Sequence, residues 1–246
     1  MVRYQLLIEY VGTNFRGWQI QKKGSTIQGL IQEKLTKLLK EKIILNGSGR
    51  TDTGVHAIAQ SAHFDCKNKI IDLIKFLKSI NHFLNEDGIA ITKIKKRSSK
   101  FHSRFSAKQR IYKYIIFNQL SIPVIEKKRG WHVRKQLDLD LIKKGAKKLI
   151  GTHDYSVFRA SSCHAKSPIK TINSIKIKSS KNKIEIEFNS QSFLQQQVRS
   201  MVGCLKYLGE KKWDLKMFEK IFKSKKRILC APPAPPEGLF LVRVIY

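Results

Sequence analysis

The sequence predicts an α+β fold made of two similar halves on a mostly antiparallel, mixed sheet. Three observations predict it. Strand-like runs with period-two or continuous apolar character alternate with helix-like runs of period three to four. The order strand, helix, strand, strand occurs once in each half of the 246 residues. One pair of alternating segments in the second half, 172–177 and 184–188, reads as a hairpin with Lys181-Asn182 at the turn. With 41% apolar residues the chain can bury a sizeable core.

Residues 3–10 read as the first strand. A helix follows, because Ile27, Leu30, Ile31, Leu35, Leu38 and Leu39 recur at three and four and leave Lys34, Lys37 and Lys40 outside. Ser25 and Gln28 have capping-box spacing at its start. Residues 43–45 and 60–64 read as short strands around a Gly-rich loop, 70–84 as a helix and 89–95 as a strand. In the second half, 111–118 read as a strand, and Leu139, Ile142, Ala146 and Leu149 mark a helix. Leu194, Val198, Met201, Val202, Leu205 and Leu208 mark a late helix, and 239–246 close the chain as a strand. The Pro-rich stretch 231–236 reads as an extended connector. A boundary near 100–110 divides the chain into 1–105, which carries the Gly-rich loop, and 106–246.

The 49 Lys and Arg against 18 Asp and Glu leave a net charge of +31. Solubility alone asks for a magnitude of about 2–8 in a small domain. Such a field attracts polyanions. Phe101, Phe105, Tyr112 and Tyr114 are interleaved with Lys100, Arg104, Lys108, Arg110 and Lys113, a mixture that suits unpaired nucleic acid. Membrane association is disfavoured, since no apolar stretch is long enough to span and no helix combines a strong apolar face with a long basic face and Trp anchors. The N-terminus runs straight into a strand pattern, without the apolar region of a signal peptide. A soluble, cytoplasmic protein is expected. Cys66, Cys163, Cys204 and Cys230 are too widely spaced for a zinc ribbon, a disulfide framework or a redox pair, so buried thiols are the simplest reading.

The loop Gly47–Ala57 is the most unusual local sequence. A phosphate-binding loop is excluded by the missing Gly-Lys-Ser/Thr ending. Asp52-Thr53-Gly54 spells the aspartic-protease tripeptide, but it has no second copy to share a proton. Asp52 and His56 are too few for a metal site. What remains is one carboxylate beside the Arg50 guanidinium, which favours its ionised form. That suits a base or nucleophile acting on an RNA component.

The segment Gly49–Ala57 closely resembles the signature of the tRNA pseudouridine synthase A family. The resemblance extends in order through most of the chain. It includes Glu9–Gln19, Phe101–Ala107, Arg110–Tyr114, Gly151–Arg159, Phe193-Leu194 with Val198–Gly203, and Gly238–Leu241 with Val244 and Tyr246. Gln195-Gln196-Gln197 stands where relatives often carry His, and Leu84–Asp87 lacks a frequent Leu-Pro.

The resemblance implies the pseudouridine synthase fold with a central active-site cleft. It implies isomerisation of uridine to pseudouridine at positions 38, 39 and 40 of the tRNA anticodon stem-loop. It also implies a homodimer with RNA crossing both subunits, and neither cofactor nor metal. By motif position Asp52 is the catalytic aspartate, and His56 supports the loop. Arg50 helps displace or hold the target base, Tyr112 contacts the uracil, and Arg199 pairs with Asp52. Three routes use an ionised carboxylate here: attack on the base, attack on the sugar, or removal of a sugar proton. The rival expectation is a non-catalytic basic RNA-binding protein.

Overall fold

The computed structural model describes residues 1–246 as ten strands and five α-helices. They fall into two compact units, Met1–Lys108 with Phe240–Tyr246, and Gln109–Leu239.

In the first unit, β1 (Val2–Tyr10) lies antiparallel between β3 (His56–Cys66) and β4 (Ile89–Arg97), and the two-residue β2 (Asn46–Gly47) pairs with β3. The strand alternation of the sequence lands as read, with Tyr4, Leu6 and Ile8 buried. Helix α1 (Ile27–Leu39) buries Ile27, Ile31 and Leu35, and α2 (Leu73–Leu84) buries Phe76, Ile80 and Leu84. The β1–β4 register slips between Leu7 and Ile8. There the Asn81 side chain of α2 takes both backbone groups of Ile91, at 2.9 and 2.7 Å.

The closing strand β10 (Leu239–Ile245) pairs in parallel with β3, Phe240 opposite His56 and Leu241 opposite Ala57. The sequence division keeps this strand with the second half. The parallel pairing, with Lys108 N donating to Ile245 O at 2.8 Å, is what ties Phe240–Tyr246 to the first unit.

In the second unit, β5 (Gln109–Asn118), β9 (Lys183–Ser190), β8 (Ile169–Ser180) and β7 (Gly151–Asp154) follow one another as antiparallel neighbours. A short β6 (Trp131–Val133) runs parallel to β5. The hairpin turns at Lys181, which takes φ 51°. Strand β9 buries every second residue, Ile184, Ile186, Phe188 and Ser190. Helices α3 (Leu139–Lys148) and α5 (Leu215–Ser224) pack with α4 (Gln197–Gly209), which is buried on nearly all sides.

Three local expectations need correction. Helix α1 is capped by Thr26, whose Oγ1 accepts from Gly29 N at 3.3 Å, rather than by a Ser25–Gln28 box. Gln28 instead bridges Ile20 N and Leu45 O, at 3.1 and 2.7 Å. The strand expected at 43–45 forms one step later, at Asn46–Gly47. Helix α4 begins at Gln197 and not at Leu194, because Gln196 adopts φ 61° and ends any helical run there. Helix α5 and strands β6 and β7 have no counterpart in the sequence reading.

Candidate active site

The loop carrying Asp52 has little regular structure, and side chains hold it. It leaves β2 with Ser48, whose N–H donates to Ser61 O at 2.7 Å and whose hydroxyl donates to Gln60 Oε1 at 2.7 Å. Gln60 Nε2 returns a bond to Gly49 O at 3.0 Å. Thr51 is fixed twice. Its carbonyl accepts from Trp18 N at 3.1 Å, and its hydroxyl shares a 2.7 Å hydrogen bond with the buried Tyr10 hydroxyl. The next residue is Asp52. Its carbonyl accepts from Val55 N at 3.1 Å, closing a turn over Thr53 and Gly54. The Asp52 residue is half-buried, with a buried residue on its N-terminal side and an exposed one on the other.

His56 anchors the far end. Its Nδ1 accepts from Gly12 N at 3.0 Å, so the neutral ring carries its proton on Nε2. The ring is buried and stacks on Phe240 at 4.8 Å. This is the supporting position expected for His56. A Cβ on Gly12 would overlap the Val55 carbonyl, so this residue must be glycine for the loop to lie so close.

Arg50 is exposed, and its Nε donates to Gln19 Oε1 at 3.1 Å. The opening segment Gly12–Gln19 is therefore the cradle of the Asp52 loop. Its contacts come from Gly12, Trp18 and Gln19. Sequence reasoning found that segment only as a resemblance, and its paired glycines were the available signal.

Tyr112 and Arg199 belong to the second unit. Tyr112 sits on β5 opposite Phe188, is 8% exposed, and meets Phe193 edge-on with centroids 5.2 Å apart. Arg199 lies in the first turn of α4 and is half-buried. The Pro-rich segment 231–236 runs against this helix and holds Arg199 by both groups of one residue. Ala234 N donates to Arg199 O at 2.9 Å, and Arg199 Nε donates to Ala234 O at 2.8 Å. A Cβ on Gly203 would overlap Pro232 O, so the close approach again requires glycine. Tyr114 secures the far side of the strap by donating to Pro235 O at 2.7 Å. Arg110 Nη1 donates to Gln191 O.

All four cysteines are free thiols. Cys204 and Cys230 are nonetheless neighbours, with Sγ atoms 3.4 Å apart, a proximity their spacing in sequence does not show. The bond to Cys230 and burial push the Cys204 thiol up, while the same bond holds Cys230 down. No group of three or more His, Cys, Asp or Glu side chains gathers to hold a metal ion. No helix is long and apolar enough to cross a membrane.

The chain thus presents a carboxylate in a tightly braced Arg-Thr-Asp loop within a strongly cationic α+β fold. The family model described as tRNA pseudouridine synthase matches residues 6–106 and 146–246. Over all 246 residues the chain is 72% identical to the full-length tRNA pseudouridine synthase A of Pelagibacter ubique. It is 38% identical to that of Parvibaculum lavamentivorans and 39% to that of Neorickettsia sennetsu, each match covering the whole of both chains. The chain belongs to the tRNA pseudouridine synthase family.

Proposed function

We propose that this chain isomerises uridine to pseudouridine in tRNA, at positions 38, 39 and 40 of the anticodon stem-loop, with Asp52 as the essential carboxylate. The observation that carries the reading is the bracing of Thr51 on both its backbone and its side chain, which fixes the residue beside Asp52. A carboxylate held in advance loses little freedom when it acts. In the reaction the N1–C1′ bond breaks, C5 bonds to C1′, the C5 proton leaves and N1 gains one. No atoms or electrons are exchanged overall, so the residues need only bind, orient and move protons.

Tyr112 contacts the uracil, Arg50 helps displace or hold the target base, and Arg199 pairs with Asp52. A uridine inside a stem must leave its stack at a cost of a few kcal/mol. Phosphate contacts from the lysines offset that cost. The enzyme acts as a homodimer in the cytoplasm.

The test is tritium release from a tRNA transcript labelled at uridine C5, with wild type and Asp52→Asn in parallel. Wild type is expected to release tritium. The variant is expected to lose about 10²–10⁴-fold or more of turnover while keeping most of its tRNA affinity. Normal turnover by the variant would remove Asp52 from the chemistry. Tight binding without release by wild type would instead favour a non-catalytic RNA-binding protein, the reading that the +31 charge alone also supports.

A further inference from the structure

Phe105 is 76% exposed, an unusual position for an aromatic side chain inside a well-ordered turn. A single exposed apolar residue carries no message by itself, but this one is displayed rigidly. His102 O accepts from Ser106 N at 2.9 Å, and Ser106 Oγ accepts from His102 N at 3.0 Å. His102 Nδ1 accepts from the backbone N–H groups of Arg104 and Phe105, at 3.1 and 3.3 Å. The turn is anchored below by Ser103, whose hydroxyl donates to Asn46 O at 2.6 Å and meets His63 Nδ1 at 2.8 Å. Asn46 opens the two-residue strand β2 from which the Asp52 loop departs, so the turn and that loop hang from one root.

The Phe105 ring has a second ring and a guanidinium beside it. His102 lies against it with centroids 4.4 Å apart, and His63 lies against His102 at 4.7 Å. The Arg104 guanidinium stands over the Phe105 ring at 5.6 Å. By contrast Phe101, four residues earlier, is packed on Tyr246 at 4.8 Å beneath the Arg97 guanidinium. The surroundings choose the occupant. From Lys93 to Arg110 the chain carries eight Lys or Arg and no Asp or Glu. A protein surface of ordinary charge gains little there, whereas a polyanion with planar bases satisfies both features.

We propose that Phe105, backed by His102 and flanked by Arg104, is a stacking platform for an unpaired base of the bound RNA, with the neighbouring cations meeting its phosphates. The proposal rests on the RNA substrate read above and adds a contact outside the four site residues. Stacking on an aromatic ring tolerates any base, so the platform supplies affinity and placement rather than sequence choice.

The test measures equilibrium binding of an unmodified tRNA transcript at several salt concentrations. Phe105→Ala and Phe105→Leu are expected to bind roughly 10- to 100-fold more weakly, and Phe105→Tyr to bind like wild type. The salt slope of Phe105→Ala should stay that of wild type, while Lys100→Ala should lower it by about one. In turnover, Phe105→Ala should raise KM and leave kcat near wild type. Wild-type affinity in Phe105→Ala, or full rescue by Leu, overturns the proposal. So does a change of oligomeric state in Phe105→Ala, which would assign the ring to a contact between copies. Binding does not depend on turnover, so loss of the isomerase reading would appear separately, as absent tritium release by wild type.

Discussion

The Asp52 loop and the Arg199 helix solve one problem in opposite ways. Around Asp52 little of the chain is regular, and distant side chains replace the missing ladder: Tyr10, Gln60 and His56 each tie one point of the loop. Around Arg199 the backbone is regular, and an irregular Pro-rich strap does the aiming through Ala234. A loop needs side chains to become rigid. A helix already is rigid, but its long arginine side chain needs an outside partner to choose one direction. In both places a glycine lets two backbones meet, Gly12 under Val55 and Gly203 under Pro232.

The two glycines offer the hardest test of that comparison. In each, an added Cβ meets a backbone carbonyl and not the end of a flexible side chain. Gly12→Ala and Gly203→Ala should each lower stability by about 3 kcal/mol, at the upper end of overpacking costs, read as a shift of the urea midpoint. Gly12→Ala should also depress turnover in the residual folded protein, because Val55 closes the turn that begins at Asp52. An unchanged midpoint for either variant would show that the strap or the loop can move aside at little cost, and the picture of two rigid devices would fall.

The fold was legible where its signal is local. Strand β1, helix α1 and the β8–β9 hairpin follow directly from period and turn residues, and the Asp52 loop stood out by composition alone. Helix α5 was missed although its pattern is local: Phe218, Ile221 and Phe222 are buried on one side, and Lys216, Lys220 and Lys223 lie on the other. The left-handed Gln196 that delays α4 carries no glycine signal. The bracing of the site was illegible for a different reason. Tyr10 meets Thr51 across 41 residues and Arg199 meets Ala234 across 35, and neither pair shows a periodicity that a sequence window can detect. The motif thus gave the candidate residues, and only the fold gives what holds them.

His63 extends the comparison to acid. It is buried beneath the Phe101–Phe105 turn and hydrogen-bonded to Ser103. Burial, then the charges of His102 and Arg3, push its pKa down to about 4. An unfolded histidine titrates near 6.5. Between those values the unfolded chain binds the proton and the native one does not, so stability is full above about pH 6.5 and falls as the pH drops toward 4. The loss should reach about 2 kcal/mol by pH 4.5. His102, also held low by burial, adds in the same direction. Asp65 is held below the usual carboxylate range by Arg3, so its loss comes at still lower pH. His63→Gln should flatten the urea midpoint between pH 7 and 4.5. An equally steep decline in that variant would place the acid sensitivity elsewhere.

The smallest expected effect separates two helix starts of the first unit. Helix α2 stands on its own cap, since Asp72 Oδ1 accepts from both Ile74 N and Lys75 N at 2.9 Å. A carboxylate there also favours the positive end of the helix. Helix α1 has a weaker local cap at Thr26, 3.3 Å from its donor, but its first turn is tied to the segment that cradles the Asp52 loop. Ile27 N donates to Gly17 O at 3.2 Å and Gln28 N to Trp18 O at 3.0 Å. Asp72→Ala should therefore cost about 1 kcal/mol, and Thr26→Ala about half of that, both measured as urea midpoints with unchanged slope. If Thr26→Ala proved the costlier change, the start of α1 would depend on its cap after all. The bonds that seat it against Gly17 and Trp18 would then follow from helix formation rather than secure it.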